Sequence, residues 1–137
     1  MTEKKLIFKL SKHRKLWTAM PEYILQEVKT AKPEESMQII VFRAKFRAFL
    51  ELFPGEAYTS YQCFACQYTK EYTELYCWSV RENACDVCPL DWGTKRPCWS
   101  YYELESLPFL GGVDEEYMRY LCSCICNLPV KAGVEIE

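Results

Sequence analysis

Histidine is nearly absent from this sequence: His13 is the only one in 137 residues. No Ser/His/Asp or Cys/His grouping can be assembled around a second histidine, and the five glycines form no Gly-rich phosphate loop. No catalytic constellation is visible, so the chain is not expected to be an enzyme. His13 itself lies between Lys12 and Arg14 and is expected at the surface or in a helix cap. Long apolar runs are missing too. Nothing approaches the roughly 18 to 20 residues that a membrane-spanning helix needs. The opening stretch MTEKKLIFKLSKHRK holds no sustained apolar segment with a small-residue cleavage site. A cytoplasmic protein without membrane association is the expectation.

Apolar residues themselves are plentiful. They make up 50% of the chain and aromatics 15%, which is enough to build a packed interior and excludes a disordered composition. At this length one domain over residues 1–137 is expected. The net charge of -2 conceals an asymmetry. Residues 1–53 carry eleven Lys/Arg against six Asp/Glu, and residues 54–137 carry six against thirteen. Any attraction to nucleic acid should therefore come from the first part.

Three segments are expected within the domain: a basic helical part over 1–53, a metal-binding part over 56–99 and a C-terminal helix within 113–128. In the first, Ser11 can cap a helix whose Leu16, Trp17, Met20, Ile24 and Val28 recur at spacings of three to four. Pro21 should kink or divide it near Met20, because proline lacks an N–H and crowds the preceding turn. Lys32-Pro33-Glu34-Glu35 reads as a second helix start, and Pro54-Gly55 as its stop. This second helix carries Phe42, Phe46, Phe49 and Phe53 on one face and Met37, Ile40, Val41, Ala44 and Ala48 on another. The middle segment has mixed periodicity and should consist of loops, turns and at most a short hairpin. Asp114 suits an N-cap for a last helix over 115–127, ended before Pro129. The fold class expected is a small α+β protein, mainly helical, packed around an irregular zinc knuckle.

Nine cysteines in a cytosolic chain point to metal before disulfides. Cys63 and Cys66 form one C-x2-C pair and Cys85 and Cys88 another, with eighteen residues between the pairs. That is four-cysteine zinc-site spacing. Two intervening residues let one tight turn aim both sulfurs at a point about 2.3 Å away, and two such turns complete a tetrahedron. One structural Zn2+ is expected, since a closed four-sulfur site leaves no coordination position for water or substrate. Cys98, and less readily Cys77, can stand in for one ligand or serve as small buried residues. Cys122, Cys124 and Cys126 form C-x-C-x-C. In a helix Cys122 and Cys126 share a face with Leu121 and Ile125 while Cys124 points elsewhere, so packing is the better reading than a second metal.

The strings Cys63-Phe64-Ala65-Cys66-Gln67-Tyr68 and Cys85-Asp86-Val87-Cys88-Pro89-Leu90-Asp91-Trp92-Gly93 resemble small zinc-binding accessory proteins of tailed bacteriophages and prophages. In those a C-[FY]-x-C-[EQ]-[YF] turn precedes a C-x-x-C-P-[LI]-x-W turn, and His13-Arg14-Lys15-Leu16-Trp17 is similar to their H-[RK]-K-L-W helix start. The resemblance implies a zinc site and a phage setting, and supplies no reaction.

Binding is then the expected mode of action. Tyrosines and tryptophans crowd the cysteine segment, and Trp78, Trp92, Trp99 and Tyr101 are the candidate contacts to a host, defence or phage protein, or to a second copy of the chain. The same rings can instead complete a core beneath the metal loops. A nucleic-acid regulator is the alternative, using Lys12, Arg14, Lys15, Arg43 and Arg47, with Lys9 and Lys45 nearby. Sequestration of a nucleotide or other small ligand, by aromatics beside Arg81 or Arg96, is a further one.

Overall fold

A computed structural model of the chain describes residues 6–55, 64, 65, 68, 88–93, 95, 98–108 and 113–137. The chain is mainly helical. Four α-helices are described along their whole length: α1 Leu10–Thr30, α2 Met37–Leu52, α3 Trp99–Glu105 and α4 Glu115–Cys126; Phe64, Ala65 and Tyr68 are helical as well. Paired extended backbone among them is limited to two isolated bridges, Phe8 with Ile136 and Leu90 with Val130.

The chain divides into two compact units, each built from separated stretches. The first comprises Met1–His13, Thr59–Pro97 and Leu128–Glu137. Its C-terminal stretch pairs with two others. The Phe8 N–H donates to the Glu135 carbonyl at 2.8 Å and the Glu137 N–H to the Phe8 carbonyl at 3.0 Å. The Asp91 N–H donates to Pro129 and the Lys131 N–H to Pro89, both at 2.8 Å. Phe8 is wholly buried and meets Tyr68 edge-on at 6.0 Å.

The second unit comprises Arg14–Tyr58 and Cys98–Asn127, hence most of α1 and all of α2, α3 and α4. Its interior is assembled from the stripes that the sequence shows. Leu16, Trp17, Met20 and Ile24 of α1 are buried, as are Met37, Ile40, Val41, Ala44 and Ala48 of α2. α3 packs against both α2 and α4, and Tyr101 of α3 meets the Trp17 ring edge-on at 5.8 Å.

Pro21 does not divide α1, which runs through it without a break. An interior proline costs about 3 kcal/mol. Each large apolar side chain buried along this helix returns about 1.5 to 3 kcal/mol, and four lie on one stripe around Pro21. α2 starts later than Lys32-Pro33 suggests. Its N-cap is Ser36, whose hydroxyl accepts from the Ile39 N–H at 3.4 Å, while Pro33 and Glu34 form a turn. The helix ends at Leu52, and Gly55 follows at φ +94, a left-handed conformation open to glycine without strain. Asp114 caps α4 as its position implies, accepting from the Tyr117 N–H at 3.1 Å.

Candidate functional site

Of the four expected zinc ligands, Cys63, Cys66 and Cys85 lie outside the described residues, and so do Cys77, Trp78, Arg81 and Arg96. Cys88 is described. It is buried, and the Pro89 to Asp91 backbone that follows it bridges to Pro129 and Lys131. Phe64 and Ala65, which lie between Cys63 and Cys66 in the sequence where a tight turn is expected, are instead helical; they are buried to within 2% and belong to the same unit as Cys88. A buried cysteine sulfur next to a proline fits the donor chemistry of a structural zinc site.

Cys98 belongs to the other unit. It is half-buried and stands at the N-cap of α3 with φ 62, the one non-glycine residue among those described with positive φ. The α3 helix it opens is not expected from the sequence, where loops and turns extend to Trp99. With only seven residues, α3 offers too few turns for a periodic signal.

The C-x-C-x-C cysteines lie on α4, and among the described residues no three His, Cys, Asp or Glu side chains gather to hold a metal. Cys122 is fully buried, which pushes its thiol up to about 12. Cys126 is buried beside α1, its sulfur 3.4 Å from the Thr18 hydroxyl and 3.5 Å from the Arg14 carbonyl. Cys124 is half-buried and hydrogen-bonds with Tyr120, which holds that phenol above its usual range.

His13 is not a surface residue. It is completely buried, its ring 5.6 Å from Phe8 at 53°. The reason is its place on α1, one turn ahead of Leu16 and Trp17 on the same apolar stripe.

Several basic residues of the nucleic-acid alternative are engaged within the protein. Arg47 donates to the buried Glu27 carboxylate at 2.9 Å, which holds its guanidinium above the ordinary range. Arg43 pairs with Glu35, whose carboxyl it holds below the usual range, and its Nε lies 3.4 Å from Glu27. Lys45 is buried, with Nζ 3.4 Å from the Tyr101 hydroxyl and 5.5 Å from its ring centre. Lys15 is exposed and lies over the Phe53 ring at 5.7 Å, Arg14 is exposed and Lys12 half-buried. Helical positions on two faces, and carboxylates within reach, divide what looks like one patch in the sequence.

The candidate contact rings divide similarly. Trp92 and Tyr101 are buried and serve as interior residues, and Trp99 is half-buried at the start of α3. Aromatic enrichment in a sequence does not distinguish a core ring from a surface one. Exposed apolar surface occurs instead on α2, where Ile39, Phe42, Phe46 and Leu50 are each 40 to 54% exposed. Their spacings of three and four place them along a single face of the helix. The phenylalanines of this row are visible in the sequence, but which of the two apolar faces of α2 turns inward is not.

Where α3 ends and α4 begins, Glu103, Ser106, Leu107, Pro108, Asp114 and Tyr117 line an open cavity of about 390 Å³. The Tyr117 hydroxyl donates to Glu103 at 3.5 Å, and its ring stacks on Tyr120 at 6.2 Å and 28°. No described helix is long and apolar enough to cross a membrane. Comparison with protein-family models, curated proteins and solved structures finds no match to this chain.

Proposed function

We propose that the chain is a zinc-stabilised phage accessory protein that acts in the host cytoplasm by binding another protein, of host, defence or phage origin. The exposed row Ile39, Phe42, Phe46 and Leu50 on α2 carries the binding half of this reading. Four large apolar side chains aligned on a helix form the kind of surface that marks a protein contact. The metal half rests on the C-x2-C-x18-C-x2-C spacing and on the buried Cys88 thiol. Cys63, Cys66, Cys85 and Cys88 would hold one Zn2+, a closed set in which the ion supplies folding energy, on the order of 10 kcal/mol in zinc-finger peptides.

The nucleic-acid alternative is disfavoured by the engagement of Arg43, Arg47 and Lys45 within the protein's own carboxylate and aromatic contacts. A phosphate would have to displace those partners.

Affinity capture from host lysate tests the reading, with wild type compared against Phe46→Ser and Trp99→Ala. A specific partner retained by wild type and lost by at least one folded variant is expected. Retention of no specific partner, or recovery only of salt-sensitive nucleic acid, would overturn it.

A further inference from the structure

The α3–α4 corner has an acidic and aromatic character that its packing does not use. From Cys98 to Asn127 the chain carries Glu103, Glu105, Asp114, Glu115 and Glu116 against a single cation, Arg119. Arg119 is already engaged, donating to Glu22 at 2.7 Å and to Glu115 at 3.0 Å. Asp114 is engaged as well, through the cap contact to the Tyr117 N–H. Glu103 is different. Its backbone carbonyl accepts from the Ser106 N–H at 3.1 Å, but among the described residues the hydrogen bond to its carboxylate is the 3.5 Å one from the Tyr117 hydroxyl, at the long limit. The Tyr117 ring, 37% exposed, is steadied by stacking on Tyr120, itself 54% exposed. Glu103 and Tyr117 both line the cavity, with Leu107 and Pro108 as apolar lining.

A carboxylate beside a steadied aromatic face, above an apolar lining, is the combination that recognises a guanidinium. The carboxylate accepts its paired N–H donors, the ring takes its flat face, and the apolar lining covers the methylene stem. We propose that this corner is a docking site for an arginine-bearing basic segment of a partner protein, with the guanidinium entering the cavity that Glu103 and Tyr117 line. The charge of the corner repels phosphate, so nucleic acid is the wrong class of occupant. Lysine fits less well, because a compact ammonium can neither stack on the ring nor pair in two-pronged fashion with the carboxylate. The site stands on residues of the helical unit alone and does not depend on the zinc ligands.

The test is fluorescence anisotropy with a short labelled arginine-glycine peptide and its lysine counterpart, at low and at moderate salt. The full chain is used as wild type, Glu103→Gln, Tyr117→Ala and, as a control, Glu34→Gln in the exposed turn before α2. Circular dichroism confirms that each variant is folded. The expected result is saturable binding of the arginine peptide, with the lysine peptide about tenfold weaker. Glu103→Gln and Tyr117→Ala should each weaken the arginine peptide by about tenfold while Glu34→Gln leaves it unchanged. Should Tyr117→Ala fail to fold, Glu103→Gln and the comparison of the two peptides decide the matter. Absence of binding, equal binding of both peptides, or equal losses in Glu103→Gln and Glu34→Gln would overturn the proposal, the last two by showing diffuse charge attraction.

Discussion

Burial gives the Cys122 thiol its character: wholly inside the helical unit, it is pushed up to about 12, from about 9 for an ordinary thiol. The protonated form is favoured by folding, so between roughly pH 9 and 12 the unfolded chain releases a proton that the native chain keeps. Stability contributed by this group is complete below the lower value and is lost as pH rises toward the upper, by up to about 1.4 kcal/mol per pH unit. Urea titrations across that range should show a shallower alkaline decline for Cys122→Ala than for wild type, from a lower starting stability. Equal slopes would mean that the thiol is not buried in solution. Cys98 is a second case where one residue decides a question. Its φ of 62 costs an L-residue about 1 to 2 kcal/mol, which glycine avoids. Cys98→Gly should therefore alter stability by no more than about 1 kcal/mol and leave zinc content unchanged. Loss of zinc from this variant would instead make Cys98 a ligand. His13 shows why single residues are hard to place from a sequence. Its charged neighbours suggest the surface, yet its spacing from Leu16 and Trp17 puts it on the buried stripe.

At the scale of the element, α1 and α2 are joined by a line of charges around Glu27, which is 7% exposed and takes both Arg43 and Arg47. The carboxylate is the buried member and the guanidinium groups are the half-exposed ones. Glu27→Ala should accordingly cost about 1 to 3 kcal/mol in chemical denaturation, and Arg47→Ala less than about 1 kcal/mol. A larger loss for Arg47→Ala would reverse that assignment. The periodic elements were legible: α1, α2 and α4 each carry an apolar stripe, and Asp114 marks its cap. Two features were not. Pro21 persists inside α1 because local cost is outweighed by the burial of residues on either side of it, a tertiary balance that no local rule contains. α3 is short, and the ring of Tyr101 that anchors it to Trp17 looks the same in sequence as an exposed ring.

For the whole molecule, the C-terminal stretch matters beyond its length. Through Phe8, Pro89 and Asp91 it ties the N-terminal segment and the turn after Cys88 into one unit by backbone hydrogen bonds. A zinc ion at the cysteine pairs would stabilise that unit further, so removal of metal by a chelator should lower its thermal midpoint and leave α-helical signal from the other unit. The charge asymmetry between the two parts of the sequence was legible, but its consequence was not. Arg43, Arg47 and Arg119 meet carboxylates that are distant in sequence, and only the fold brings those together. The cysteine spacing remains the most specific signal in the chain. Its most direct test is elemental analysis, with X-ray absorption at the zinc edge, on protein purified without chelator. One zinc per chain in a shell of four sulfurs, abolished by Cys88→Ser, is the expected result. Protein that is folded and free of zinc, or zinc retained unchanged in Cys88→Ser, would contradict it.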